Sequence, residues 1–119
     1  MEIKSKERIR VLVVDDSAFM RKVISDILGS DSSIEVVATA RSGFDAIEKA
    51  KKIRPDVITL DVKMPGMDGL ECLSELTKLG KIPVIMISSV TEEGAEATIE
   101  ALEVGAIDFI TKPSTIFDI

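Results

Sequence analysis

The stretch VLVVDDS, residues 11–17, ends an apolar run in two adjacent aspartates, Asp15 and Asp16. A short, apolar and β-branched run of this kind is typical of a strand that is covered on both faces. Two carboxylates at about 4 Å repel each other by roughly 1 kcal/mol in bulk water and by roughly 4 kcal/mol at an effective dielectric constant near 20. We therefore expect a compensating positive charge near the end of this strand.

The composition of the 119 residues fits one globular domain, since 45% are hydrophobic and 30% are charged. The net charge of −6 and the lack of a basic run with stacking aromatics argue against binding to nucleic acid. Cys72 is the only cysteine, which excludes an internal disulfide and favours a reducing compartment. The charged N-terminus and the short VLVV run argue against a signal peptide or membrane insertion. We therefore expect a cytoplasmic protein.

Short apolar segments alternate with helical patterns along the chain. The five segments are IRVLVVD (9–15), IEVVATA (34–40), DVITLD (56–61), IPVIMIS (82–88) and AIDFIT (106–111). They are rich in β-branched residues and lack strict alternation, as expected of strands that helices cover on both faces. The alternation predicts an α/β fold with a parallel sheet and right-handed crossovers.

The helical patterns carry apolar residues at helical spacing. Helices are predicted over 18–28, 43–53, 68–79 and 91–104. Ile27 belongs to the apolar stripe of the first helix and Phe44 to that of the second. Thr91 is a candidate N-cap of the fourth helix, and Gly80 and Gly105 are expected to end the third and the fourth.

The end of the chain predicts an incomplete last unit. Only STIFDI follows Pro113, about half of what one more covering helix would need. We therefore expect one face of the sheet to lack part of its cover, and we expect the chain to be cut from a longer protein.

Polar residues follow the ends of four predicted strands. Asp15 and Asp16 follow the first strand, Asp61 ends the third, Ser88 ends the fourth and Lys112 follows the fifth. Because the carboxyl ends of parallel strands meet at one edge, where ligands bind in open α/β sheets, these side chains are expected to gather there.

Three carboxylates with one lysine predict a hard, oxygen-rich site that suits Mg²⁺. A metal ion would offset the repulsion between Asp15 and Asp16. A carboxylate at such a site can attack phosphorus and form an aspartyl phosphate, provided that cations and hydrogen-bond donors neutralise the transferring group.

The motifs VLVVDDS, DVITLDVKMPGMDGLECL, VIMISS and GAIDFITKP, in this order, resemble those of response-regulator receiver domains over nearly the whole chain. The resemblance implies a flavodoxin-like, doubly wound parallel sheet of five strands in the order 2-1-3-4-5. It also implies a cis peptide bond between Lys112 and Pro113.

The same resemblance implies a role for each residue at the polar edge. Asp61 is the implied phosphoacceptor, and Ser88 and Lys112 are the implied contacts of the phosphoryl oxygens. Mg²⁺ is the implied cofactor, and its implied ligands are Asp15, Asp16, Asp61 and the backbone carbonyl of Lys63. The side chain of Lys63 has two open interpretations: it is solvated, or it reaches the phosphoryl group and changes the dephosphorylation rate.

Phe109 is the implied switch residue, together with Ser88. The resemblance implies that the Phe109 rotamer changes on phosphorylation and that the surface formed by residues 96–109 then changes its fit to a partner.

Two longer stretches, DDSAFMRKVISDIL and SSVTEEGAEATIEALEVGAIDFITKPS, narrow the resemblance to the regulatory half of chemotaxis protein-glutamate methylesterases. Residues 1–119 would then be a single receiver domain, and the last helix, the linker and the C-terminal esterase domain would be absent from this chain. The chain contains no histidine, so the Ser-His-Asp chemistry of an esterase is not in it. The implied partners are a CheA-like chemotaxis histidine kinase as phosphodonor, the esterase domain and, indirectly, the chemoreceptors.

Other classes fit the sequence less well. A haloacid-dehalogenase-type phosphatase has a DxD motif, but Lys63 occupies the second acidic position here. A dinucleotide or flavin binder needs a glycine-rich or hydroxyl-rich phosphate loop, where this chain has DDSAFM. A stand-alone receiver, or a receiver-like interaction module without phosphorylation, stays as an alternative.

Overall fold

Five parallel strands in the order β2-β1-β3-β4-β5 form the sheet, which confirms the predicted order. The structure is a computed structural model, and it describes residues 7–88 and 92–112. The strands are β1 (Ile9–Val14), β2 (Ile34–Ala40), β3 (Val57–Asp61), β4 (Val84–Ser88) and β5 (Asp108–Thr111). Helices connect consecutive strands, as the alternation in the sequence predicts.

The helices begin close to their predicted positions, and local capping explains why. They are α1 (Ala18–Gly29), α2 (Gly43–Ile53), α3 (Gly69–Thr77) and α4 (Glu92–Val104). The hydroxyls of Ser17 and Ser42 accept hydrogen bonds from backbone N–H groups in the first turns of α1 and α2. Asp68 forms a capping box with Glu71 at the start of α3. Thr91, the predicted N-cap of α4, lies outside the described residues.

The two faces of β1 are both buried, which explains its nearly continuous apolar sequence. Leu12 and Val14 belong to a large core with residues of α2, α3 and α4. Val11 and Val13 belong to a smaller core on the other face, with residues of α1. Helices therefore cover the sheet on both sides, as a doubly wound fold requires.

Three element boundaries differ from the prediction by two residues. β4 begins at Val84 instead of at residue 82, because Pro83 has no N–H group to donate to the ladder. β5 begins at Asp108 instead of at residue 106, where its pairing with Ile85 of β4 starts. α3 ends at Thr77, before Gly80, because the Lys78 N–H already caps the last turn.

The apolar stripes of α1 and α2 are buried only in part. Ile27 is 52% exposed and Phe44 is 64% exposed, although both have the spacing of core residues. On the α1 side of the sheet, a cavity of about 120 Å³ is lined by apolar residues and two threonines, namely Ile24, Ile27, Leu28, Thr59, Ile87, Ile110 and Thr111. The predicted truncated last helix and the Lys112–Pro113 bond lie outside the described residues. Among the helices of the described part, none is long and apolar enough to cross a membrane.

Gly69 provides a close backbone approach between α3 and the end of β3. Its N–H donates a hydrogen bond to the Val62 carbonyl over 2.9 Å. A Cβ atom at this position would overlap the Asp61 carbonyl oxygen and lie 2.6 Å from the Val62 carbonyl oxygen. Only glycine therefore lets the first turn of α3 lie against the backbone of Asp61 without a shift.

We predict that Gly69→Ala lowers the free energy of unfolding by about 2–3 kcal/mol, because the added methyl group meets backbone atoms that cannot rotate away. Gly29→Ala is the matched control: a Cβ there has no neighbour within 4 Å. It should be neutral or stabilise the protein by up to about 1 kcal/mol. Urea unfolding monitored by circular dichroism measures both. Equal midpoints for the two variants would contradict the assigned role of Gly69.

Candidate functional site

Three aspartates lie together at the carboxyl edge of the sheet. Asp15 and Asp16 follow β1, and Asp61 is the last residue of the adjacent strand β3. One carboxylate oxygen of each lies within 4.8 Å of the other two. Asp15 and Asp61 are 0% and 2% exposed, whereas Asp16 is exposed. The edge is therefore a pair of buried carboxylates with a third carboxylate at its mouth.

The backbone and one arginine position Asp15. Its Oδ1 atom accepts a hydrogen bond of 2.9 Å from the Ser17 N–H, and its own N–H donates to the Ala40 carbonyl over 3.1 Å. The Arg21 guanidinium donates a 2.9 Å hydrogen bond to the Asp15 carbonyl from the first half of α1. Arg21 was not among the site residues predicted from the sequence. The available signal was a cation placed about one helical turn beyond the predicted start of α1.

Lys112 is the ammonium that faces the buried pair. Its Nζ atom lies 3.3 Å from Oδ2 of Asp61, 3.2 Å from Oδ1 of Asp61 and 3.8 Å from Oδ2 of Asp15. Lys112 directly follows β5, so its side chain reaches past β4 to the end of β3. Its position at this edge agrees with the prediction from the sequence, and its ammonium partly compensates the two buried negative charges.

Ser88 and Lys63 also lie at this edge. Ser88 ends β4 and is buried, and its carbonyl accepts a 2.7 Å hydrogen bond from the Lys112 N–H. The Lys63 N–H donates to Oδ1 of Asp61 over 3.3 Å, and the residue is exposed in the loop after β3. The structure thus places the predicted polar residues together at one edge.

Phe109 lies farther along β5 and is 45% exposed. It is paired with Met86 of β4, two residues before Ser88, while Thr111 is paired with Ser88 itself. The ladder between β4 and β5 therefore connects the position of Phe109 with the acidic edge.

Burial is the main cause of the raised pKa values of the two buried carboxyl groups, Asp15 and Asp61. Burial raises the pKa of Asp61 from 3.8 to about 6, and the neighbouring Asp15 carboxylate adds to this increase. The ammonium of Lys112 and the Lys63 N–H act in the opposite direction but do not cancel it. Burial also raises the pKa of Asp15, against the hydrogen bond from Ser17 and the charge of Lys112.

The residues present fit a small divalent cation. Three carboxylates lie together here, and the Lys112 ammonium lies close to two of them, Asp15 and Asp61. Oδ2 of Asp15 is buried and accepts no hydrogen bond within the described part of the chain, so it has a lone pair to offer a metal ion. Carboxylate and carbonyl oxygens are the hard ligands that Mg²⁺ prefers.

A comparison with known protein families finds one family that accounts for both the fold and the motifs. The family model described as the response regulator receiver domain matches residues 11–119. The chain belongs to the response-regulator receiver family. The flavodoxin-like strand order and the acidic edge of this receiver agree with the motifs quoted above.

The receiver is similar to parts of longer curated proteins. It is 62% identical over 112 residues to the protein-glutamate methylesterase/protein-glutamine glutaminase of Pyrococcus abyssi (strain GE5 / Orsay), covering 94% of this chain and 30% of that protein. The corresponding protein of Bacillus subtilis (strain 168) is 59% identical over 106 residues, covering 89% of this chain and 30% of that protein. The receiver thus spans less than a third of the length of these relatives.

Solved structures share the fold of this chain with TM-scores above 0.8. The response regulator domain of Thermotoga maritima CheB has a TM-score of 0.83 and 56% identity, covering 90% of this chain and 80% of that one. A chain of the CheX-CheY-BeF3-Mg²⁺ complex from Borrelia burgdorferi has a TM-score of 0.83 and 34% identity, covering 98% of this chain and 89% of that one. The receiver is therefore of the CheB type, as the longer stretches of its sequence predicted.

The pKa of Asp61 gives a prediction for the metal-free receiver. The folded chain keeps the Asp61 proton up to about pH 6, whereas the ordinary pKa of the group is 3.8. The folded state binds more protons in this window, so the contribution of Asp61 to the free energy of unfolding decreases as the pH rises through it. Asp61→Asn should therefore raise the free energy of unfolding at about pH 7.5 by about 1–3 kcal/mol in the presence of EDTA.

Urea unfolding at about pH 7.5 and at about pH 4 measures this effect, and the gain should be smaller at the lower pH. Asp26→Asn is the control, because Asp26 forms an exposed ion pair with Lys22 and should change stability by less than about 0.5 kcal/mol. A lower urea midpoint for Asp61→Asn than for the wild type at neutral pH would show that the Lys112 ion pair outweighs burial.

Proposed function

We propose that this receiver accepts a phosphoryl group on Asp61 and so controls a methylesterase domain in chemotaxis signalling. The observation that carries the proposal is the position of Asp61, which is buried beside Asp15 and lies 3.2–3.3 Å from the Lys112 ammonium. A carboxylate held next to a cation and within an acidic cluster that can bind a metal ion suits nucleophilic attack on phosphorus.

Asp15, Asp16, Asp61 and the carbonyl of Lys63 would hold Mg²⁺ at this site. When bound, Mg²⁺ neutralises negative charge on the carboxylates and on the transferring phosphoryl group. The similar chain from Borrelia burgdorferi comes from a complex that contains Mg²⁺, which supports this assignment by analogy.

In the proposed reaction, an Asp61 carboxylate oxygen forms a bond to phosphorus while the P–N bond of a phosphohistidine breaks. The electron pair of that bond leaves with the imidazole nitrogen. The Lys112 ammonium stabilises the negative charge on one phosphoryl oxygen, and the Ser88 hydroxyl donates a hydrogen bond to another. The donor would be a CheA-like histidine kinase, linked through signalling to the chemoreceptors.

The switch would use the connection between β4 and β5. A new phosphoryl group draws the Ser88 hydroxyl and the Lys112 ammonium toward Asp61. The hydrogen bond from the Lys112 N–H to the Ser88 carbonyl joins the two strands at this point. Phe109 follows with a change of rotamer. This change shifts the population of conformations of the surface formed by residues 96–109, which we call the α4–β5 surface.

The α4–β5 surface is the proposed contact with the esterase domain. It exposes several large apolar side chains of the 99–109 region, namely Ile99, Leu102, Val104, Ile107 and Phe109. Exposed apolar residues that lie together mark interaction surfaces. Residues 1–119 would be the receiver domain of a longer, cytoplasmic protein with a C-terminal esterase domain. The curated methylesterase relatives, of which the chain covers 30%, support the longer protein.

We predict that incubation with Mg²⁺ and acetyl phosphate adds one phosphoryl group to the wild-type chain and none to Asp61→Asn. Rapidly quenched samples and intact-mass spectrometry measure the adduct, which should be labile as an acyl phosphate. Ser88→Ala is a second control that retains Asp61 and should still be labelled. If the wild type is not labelled, the alternative of a receiver-like interaction module without phosphorylation stands. An adduct on Asp61→Asn would show that another residue accepts the phosphoryl group.

We also predict that Mg²⁺ raises the melting temperature. At roughly 100 times the dissociation constant, Mg²⁺ adds about 2.7 kcal/mol to the free energy of unfolding. Asp16→Asn should weaken this response, because it removes one ligand without disturbing a buried group. Asp26→Asn, far from the acidic edge in sequence and exposed, should retain it. A melting temperature that is independent of Mg²⁺ would contradict the metal site.

A further inference from the structure

A second cavity, of about 430 Å³, lies where α1, the end of β2 and the start of α2 meet. We call it the basic pocket, and it is lined by Arg21, Thr39, Arg41, Ser42, Asp45 and Lys49. Three of these side chains are cationic and one is a carboxylate. The pocket is therefore locally positive in a chain whose net charge is −6.

The contacts inside the basic pocket leave it able to bind an anion. Asp45, its carboxylate, lies 3.3 Å from the Lys49 ammonium and accepts a hydrogen bond of 3.2 Å from the Arg41 N–H. Lys49 also donates to the Thr39 carbonyl over 2.5 Å. These bonds hold Lys49 in place, while the guanidinium of Arg41, an exposed residue, has five N–H donors for a carboxylate or a phosphate.

Arg21 joins the basic pocket to the acidic edge. Its guanidinium lines the pocket and donates to the Asp15 carbonyl over 2.9 Å. An anion in the pocket would thus lie beside Arg21, which contacts the backbone of Asp15 at the acidic edge. A negatively charged phosphodonor is repelled by the acidic edge and by the net charge of the chain, so this neighbouring positive pocket can guide its approach.

The exposed side chain of Phe44 favours a protein, and not a small anion, as the ligand of the basic pocket. It follows Ser42 and Gly43 at the start of α2, and its side chain is 64% exposed despite its core-like spacing. It also lines a neighbouring cavity with Gly66, Met67, Glu71, Ser74 and Glu75. Phe44 lies two residues along the chain from Ser42, which lines the basic pocket. An exposed aromatic side chain there favours a protein partner, because the binding energy of protein interfaces concentrates on aromatic and arginine side chains.

We propose that the basic pocket docks an acidic segment of the phosphodonor protein and so orients the phosphohistidine toward Asp61. This inference rests on the proposed function, since it assigns a docking site for the same phosphoryl transfer. Arg41 contributes through charge and is a docking residue, not a catalytic one.

The test compares two donors with the same receiver. The phosphorylated histidine-containing domain of a chemotaxis histidine kinase is the protein donor, and acetyl phosphate is the small donor. Arg41→Glu should lower the second-order rate of transfer from the protein donor by about tenfold and flatten its dependence on ionic strength. Labelling of Asp61 by acetyl phosphate should stay within about twofold of the wild type, because the acidic edge is unchanged.

Two matched variants isolate the role of the pocket. Lys81→Glu makes the same change in net charge at an exposed residue of the loop before β4, at the opposite edge of the sheet, and should keep the wild-type rate with both donors. Arg41→Lys keeps the positive charge and should retain most of the rate with the protein donor. Circular dichroism and melting temperature verify that all variants are folded.

Several outcomes would overturn the inference. With the protein donor, these are a rate of transfer that Arg41→Glu leaves unchanged, or that Arg41→Glu and Lys81→Glu lower equally. A loss of this rate in Arg41→Lys as large as in Arg41→Glu is a third. The last is an equal slowing of transfer from both donors by Arg41→Glu. The last outcome would indicate a small-anion site that acts on the chemistry. A wild type that acetyl phosphate fails to label would instead contradict the proposed function, so the two failures are distinguishable.

Discussion

The burial of two carboxylates against one ammonium is the constraint on which this structure depends. Asp15 and Asp61 end adjacent strands and are almost completely buried, and Lys112 approaches both from the end of the fifth strand. Like charges at this distance are unfavourable in a medium of low dielectric constant, and the raised pKa of Asp61 reflects that cost. The rest of the fold overcomes this cost because both faces of β1 and much of β3 lie in hydrophobic cores.

Local contacts hold the Asp15 and Asp61 carboxylates close together, although their negative charges repel each other. The Ser17 N–H and the Lys63 N–H each bond to a carboxylate oxygen, so the backbone of the loops after β1 and β3 orients the two side chains. Gly69 lets α3 begin directly against the Asp61 backbone. A carboxylate that is costly to ionise and rigidly held is prepared for a cation or a phosphoryl group, because binding then releases electrostatic strain and requires little reorganisation.

The surface around the acidic edge is divided into regions of different chemistry. The α4–β5 surface exposes large apolar side chains, whereas the basic pocket between α1 and α2 is positive. Arg21 contacts the Asp15 backbone and also lines that pocket, so the acidic and the basic regions share a residue. Under the proposed function, this division would allow one small domain to meet a phosphodonor on one side and a regulated partner on another.

The sequence by itself determined the alternating α/β pattern, the parallel sheet and the placement of Asp15, Asp61, Ser88 and Lys112 at one edge. These features follow from periodicity and from strand ends, which are encoded within a few neighbouring residues. The strand order was available only through the resemblance to receivers. Tertiary structure alone decided the burial of Asp15 next to exposed Asp16, the exposure of Ile27 and Phe44 on stripes with core spacing, and the contact of Arg21 with the Asp15 carbonyl. Exposure and side-chain contacts of this kind depend on which elements pack together, and residues distant in sequence decide that packing.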